Sequence, residues 1–176
     1  MTYFEDLSRY TYSNAVPEGI SIKNVGWLAI NREFPKAHAS VNLLDVLWDY
    51  CSVIVTPTRG LHSCEFCVSP AHTFVRHGTR LLLGSGEIRI FSLGGDIFSA
   101  PNLIYHYIHD HQYRPPAEFV QAIEGGPHPT SDEYKRLMDL LAVKWRPNPP
   151  MAEEPRQFRV VQTEDGIVRE EVKRRS

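Results

Sequence analysis

The sequence predicts an α+β fold: a small central antiparallel sheet, helices packed after it, and a C-terminal β-hairpin. Three observations carry this. Short β-branched runs concentrate between Ile20 and Ala100, helical periodicities follow from Pro101 to Trp145, and glycine-rich turns separate the extended runs. Strands in the middle with helices after them do not suit a doubly wound sheet.

In chain order, Ile20 and Ile22 alternate with polar neighbours and Val25 follows, which predicts a strand broken at Gly26. The aromatic start, Tyr3, Phe4, Tyr10 and Tyr12, reads as a segment packed over the core. Val41, Leu44, Leu47 and Trp48 fall at helical spacing behind Ser40, a suitable N-cap, which predicts a helix over 41–51. "SVIVTPT" is a short strand ended by Pro57, and Ala71–Gly78 is a short strand or extended loop. "RLLLG" and "EIRIFS" flank Gly84-Ser85-Gly86, which predicts a hairpin, and "GGDIFSA" adds a turn and a strand.

The period then changes. Pro101 or Asn102 opens a helix with Leu103, Ile104, Tyr107 and Ile108 on its apolar face, stopped at "QYRPP". Pro116 starts another, with Phe119, Val120 and Ile123 inward and Gly125-Gly126 at its end. Thr130 and Glu133 have the spacing of a capping box ahead of a Tyr134, Leu137, Met138, Leu141 stripe. Arg146–Pro155 holds four prolines in ten residues and reads as a linker or extended arm. Two β-like runs around Asp165-Gly166 predict a terminal hairpin. The expected organisation is one α+β domain over 1–145, then a linker and hairpin tail over 146–176.

Composition narrows the function. A chain of 176 residues, 42% hydrophobic and 23% charged, buries enough surface to fold without disulfides or metal. A net charge of −2 disfavours general nucleic-acid binding, and "VKRRS" is only a small basic tail. No run reaches the roughly 20 apolar residues of a membrane helix. The start lacks a basic then apolar signal-peptide pattern, so a cytoplasmic protein is expected. Three cysteines do not form a disulfide framework, and paired cysteines in a reducing compartment point to metal or redox chemistry.

The chemistry concentrates in "TRGLHSCEFC", Thr58–Cys67. Cys64-x-x-Cys67 lets one loop aim two sulfurs at one point, and zinc accepts sulfur and imidazole donors tetrahedrally. His62 stands two residues before Cys64, on the same side in extended backbone. His62, Cys64 and Cys67 are therefore three expected ligands, with His106 the fourth and His111 its alternative. His106 and Asp110 are i, i+4, so that carboxylate could orient the imidazole. His109 and His111, two apart, do not share a helix face. The rival readings are two buried cysteines, a redox dithiol, and a Cys64–His nucleophile pair. The redox loop lacks its βαβ context, and nothing in the sequence selects a third group for the nucleophile. A zinc deaminase is excluded, since neither "HAS" nor "HTF" supplies H-x-E and Ser63 precedes Cys64. Cys51 ends an apolar helix and reads as core. Gly84-Ser85-Gly86 lacks the lysine of a phosphate loop and is a turn.

The opening "MTYFEDLSRYTY", "NVGWL" at Asn24–Leu28, "TRGLHSCEFC", "GSGEIRI" at Gly84–Ile90 and "APNLIYHYIHDHQYRPPAEFVQAI" at Ala100–Ile123 resemble a family of small, largely uncharacterised bacterial proteins. The resemblance runs through about the first 125 residues. It implies a bacterial cytosolic domain, with the strings around His62, Cys64, Cys67, His106 and His111 as landmarks of one shared site. It carries no catalytic mechanism. By analogy of context, such proteins serve as toxin-neutralising immunity proteins or accessory proteins. The expected function is thus a non-enzymatic interaction protein with a structural zinc and a protein partner, most concretely a toxin encoded beside it. The alternative is a zinc- or thiol-dependent enzyme, whose pocket would be lined by His62, Glu65, His106 or His111.

Overall fold

The computed structural model describes residues 2–12, 16–58, 60–68, 71–148 and the strand backbone of 158–163 and 166–171. Its elements run β1 (Ile22–Asn24), α1 (Val41–Cys51), β2 (Val53–Val55), β3 (Thr73–Arg76), β4 (Thr79–Leu82), β5 (Glu87–Phe91), β6 (Ile97–Pro101), α2 (Ile104–His111), α3 (Ala117–Gly125), α4 (Asp132–Leu140), β7 (Trp145–Pro147), β8 (Phe158–Thr163) and β9 (Gly166–Glu171). The α+β class holds. The central sheet has five strands in the order β1-β6-β5-β2-β7, and β3-β4 and β8-β9 form two-stranded sheets. All pairings are antiparallel except β1 with β6, so the central sheet is mixed. Among the described residues, no helix is long and apolar enough to cross a membrane.

Alternation along β5 sets the layers. Ile88 and Ile90 pair with Ala100 and Phe98 on β6, and all four are fully buried. This face meets the helices, with Phe98 edge-on to Phe119 of α3. The alternate residues Glu87 and Arg89 would face water in a half-exposed sheet. Here they are buried too, because the N-terminal segment covers them. That segment runs along β1 through Leu7 N–H to Asn24 O, Asn24 N–H to Ser8 O and Tyr10 N–H to Ile22 O. Phe4, Tyr12 and Trp27 pack together beside it, as expected for an aromatic start laid over the core.

Several elements differ from the sequence expectation, each for a local reason. Gly84-Ser85-Gly86 does not close a hairpin. β4 turns back on β3 through His77 and Gly78, both at positive φ, while β5 pairs with β6 and β2. The glycine-rich stretch instead carries the chain between sheets, its Gly84 and Ser85 N–H groups donating to Asn102 Oδ1. That use of Asn102, and the pairing of Pro101 with Glu87, delay α2 to Ile104. Helix α1 spans the expected residues, with Ser40 Oγ accepting from Leu43 N–H. The N-cap of α4 is Ser131, which accepts from Tyr134 N–H, and not Thr130. The arm expected from Arg146 begins as sheet, since β7 pairs with β2. Asn148 then anchors it, donating to Cys51 O and Leu82 O. The predicted terminal hairpin is present as β8-β9, whereas the proline-rich 149–155 and the basic tail lie outside the described residues.

Candidate metal centre

The site joins the Cys64–Cys67 loop to α2. The loop is held from three sides. His62 N–H donates to Gly84 O, and Glu65 Oε2 accepts from Ile30 N–H at 3.2 Å. Between the cysteines, Phe66 wedges its ring against Phe34, Tyr107 and His111. Helix α2 is fixed by Ile104, Tyr107 and Ile108, all buried, and ends where Gln112 turns left-handed. Gly26 lets that helix approach, since a Cβ there would lie 2.6 Å from Ile104 Cδ1.

Four donor atoms converge. Cys64 Sγ lies 3.2 Å from His111 Nε2, Cys67 Sγ lies 3.4 Å from both His106 Nε2 and His111 Nε2, and the two Nε2 atoms are 3.1 Å apart. All ligand atoms of Cys64, Cys67, His106 and His111 fall within 4.8 Å of one another, and the group could hold a metal ion. A tetrahedral zinc with ordinary bond lengths has N–N edges of about 3.3 Å, S–N edges of about 3.6 Å and an S–S edge of about 3.8 Å. The four contacts above are a few tenths of an ångström shorter than the matching edges of that tetrahedron, and no pair of the four donors exceeds 4.8 Å.

The electrostatics suit a cation. Cys64 and His106 are 3% and 4% exposed. Burial pushes the Cys64 thiol up to about 11, and the neighbouring Cys67 adds to it against a backbone hydrogen bond from Phe66. A dication is the charge that reverses such a shift and holds the sulfur as thiolate. Burial also lowers the His106 pKa, opposed by Asp110, and lowers that of His111. Both shifts favour the neutral ring, the form that binds metal. His106 Nδ1 hydrogen-bonds Asp110 Oδ2, which assigns the proton to Nδ1 and turns the Nε2 lone pair toward the sulfurs. Burial alone would raise Asp110, but hydrogen bonds from His109 and His106 prevail and its pKa falls.

Of the residues expected from sequence, Cys64, Cys67, His106 and the alternative His111 come together. His62 does not. Its backbone is tied to the Gly84 turn, and it lines a separate slot with Tyr12, Trp27, Thr58 and Glu87. The two-residue rule needs a regular strand, and residues 61–64 form none. His106 and His111 join the group together, where the sequence offered them as alternatives. Five residues put them about 140° apart around a helix. Their perpendicular rings, with centroids 4.8 Å apart, reach one point from different sides. Asp110 takes the expected place behind His106, and Cys51 is core, as expected. Sequence reasoning did not find Phe74, whose ring lies 5.1 Å from His106 and covers it from β3. No signal near the histidines pointed to it.

No curated protein and no solved structure matches the chain. A family profile described as "Domain of unknown function (DUF7919)" matches residues 2–124, a span that contains all four donors and both elements that carry them. The chain belongs to that family.

Proposed function

We propose that the protein holds one zinc ion between Cys64, Cys67, His106 and His111. The zinc staples the Cys loop to α2, in a cytoplasmic protein that works by binding another protein. The convergence of two sulfurs and two imidazole nitrogens within 4.8 Å carries this reading. Mixed sulfur and imidazole donors favour zinc over the oxygen-seeking calcium and magnesium. Four protein donors are the mark of structural zinc, whereas a zinc enzyme keeps a position for water or substrate.

Metal analysis of the purified full chain tests it. One zinc per chain is expected, retained in His62→Ala and lost in Cys64→Ser. Freshly reduced protein that neither contains nor takes up zinc would overturn the reading. The partner half of the proposal continues the sequence reading, with a toxin encoded beside this chain as its most concrete form. Co-expression with the neighbouring gene product should yield a complex, and protection of cells from that product would establish immunity.

A further inference from the structure

The four arms of the site are not equivalent. His106 is buried, covered by Phe74 and oriented through Nδ1 by Asp110. Ligating histidines nearly always have such a partner, which fixes the ring and strengthens the metal bond. His111 has none: its Nδ1 lacks a hydrogen-bond partner among the described residues, and ring contacts with Phe66, Tyr107 and His106 hold it. It also ends its helix, at a left-handed Gln112. His111 is therefore the weakest arm.

That arm opens on a cleft. A volume of about 590 Å3, the size of a small-molecule site, is lined by Arg32, Lys36, Phe34, Phe66 and His111, among others. Arg32 sits over the Tyr3 ring at 5.3 Å and Lys36 over the Phe34 ring at 5.4 Å. Neither is ion-paired among the described residues. Two cations are thus held at the cleft by aromatic faces, with their charge left for a ligand. Two carboxylates also line it. Asp110 keeps its charge but has its oxygens taken up by His106 and His109, and Glu33 is the second opposing charge.

We propose that His111 is an exchangeable zinc ligand, and that this cleft admits a small organic carboxylate with an apolar body to take its place on the metal. The inference rests on the zinc reading. In the exchange the zinc–Nε2 bond breaks, a zinc–carboxylate oxygen bond forms, and no proton or electron moves. Zinc with two thiolates and two neutral imidazoles carries no net charge. The carboxylate makes the centre −1, and Arg32 and Lys36 stand where that charge would be balanced. Phe34 and Phe66 would pack the ligand's apolar part.

Cobalt-substituted full-length protein titrated with benzoate tests this, because tetrahedral cobalt absorption reports its own donor set. Benzoate should shift the spectrum saturably with cobalt still bound, acetate should do so more weakly, and uncharged benzamide should leave it unmoved. Arg32→Ala with Lys36→Ala, both exposed positions, should weaken the benzoate response at least about tenfold. Lys135→Ala, paired with Asp132 on α4, should not weaken it. His111→Ala should keep the metal and bind benzoate more tightly than the parent. A cobalt spectrum indifferent to benzoate, or a response unchanged in the Arg32/Lys36 variant, would overturn the exchange and leave the zinc site standing. Loss of cobalt as benzoate is added would also overturn it. Failure to bind cobalt or zinc at all would sink both readings.

Discussion

Nε2 of His106 and Nε2 of His111 face each other at 3.1 Å, with Cys67 Sγ 3.4 Å from each. The hydrogen bond to Asp110 makes the first of these nitrogens an acceptor. Without a cation the pair is held by a proton on His111 Nε2 donating to His106, whereas a metal at the centre would draw on both lone pairs and on the sulfurs together. Chelation of the metal should therefore loosen α2 from the loop and lower stability. Zinc held at a thousandfold over its dissociation constant contributes about 4 kcal/mol. Thermal melts with and without a strong chelator, the shift reversed by zinc, check this.

Asp110→Asn should keep the fold and weaken zinc about 10- to 100-fold, since it removes the carboxylate that orients and strengthens His106. Competition with a chromophoric chelator reads the change. Equal affinity in the variant would show that the carboxylate plays no part in holding the ring.

Gly84→Ala should be destructive. Gly84 sits at φ +79°, and a Cβ there would lie 2.1 Å from His62 O, a backbone atom with no room to move. The left-handed conformation alone costs a non-glycine residue about 1–3 kcal/mol, and the clash adds to it. Because His62 stands two residues before Cys64, zinc affinity should fall together with stability. Urea unfolding and zinc titration of the same sample measure both.

Glu87 and Arg89 form an ion pair at 2.7 Å under the N-terminal segment, with Ser99 and Tyr10 also donating to the carboxylate. Both side chains are almost wholly buried. Glu87→Ala leaves a guanidinium stranded there and should cost about 3–5 kcal/mol. Urea denaturation at neutral pH gives the value, and a cost below about 1 kcal/mol would contradict the burial.

Alkaline pH should destabilise the fold through Tyr10 and Tyr50. Burial pushes both phenols from 10.0 up to about 12, with Glu87 and Arg89 acting in opposite senses on Tyr10. Below pH 10 both states hold these protons and the stabilisation is complete. Between 10 and 12 the unfolded chain has lost them while the folded chain keeps them, so stability falls as pH rises through that window. Ultraviolet titration of tyrosinate should show late-ionising phenols, and Tyr10→Phe should remove one.

The sequence by itself determined what local patterns determine. Periodicity and the Ser40 cap located α1 to the residue, and β-branched runs with turn residues marked most strands. The CxxC spacing and the His106–Asp110 step singled out Cys64, Cys67, His106 and the carboxylate behind it, residues the structure brings together with His111, because i+3 and i+4 relations hold within a single loop or helix turn. Only the tertiary structure decided what depends on pairing between distant segments. It sent β4 back to β3, and the Gly84 turn to hold His62 away from the sulfurs. It laid the aromatic start over Glu87 and Arg89, so a strand that alternates like a half-exposed one is buried on both faces. It also brought His106 and His111 to one point although they lie on different sides of their helix. The loop anchored by Phe66 and Gly84 carries its two sulfurs to that same point, a meeting of segments some forty residues apart that no local pattern encodes.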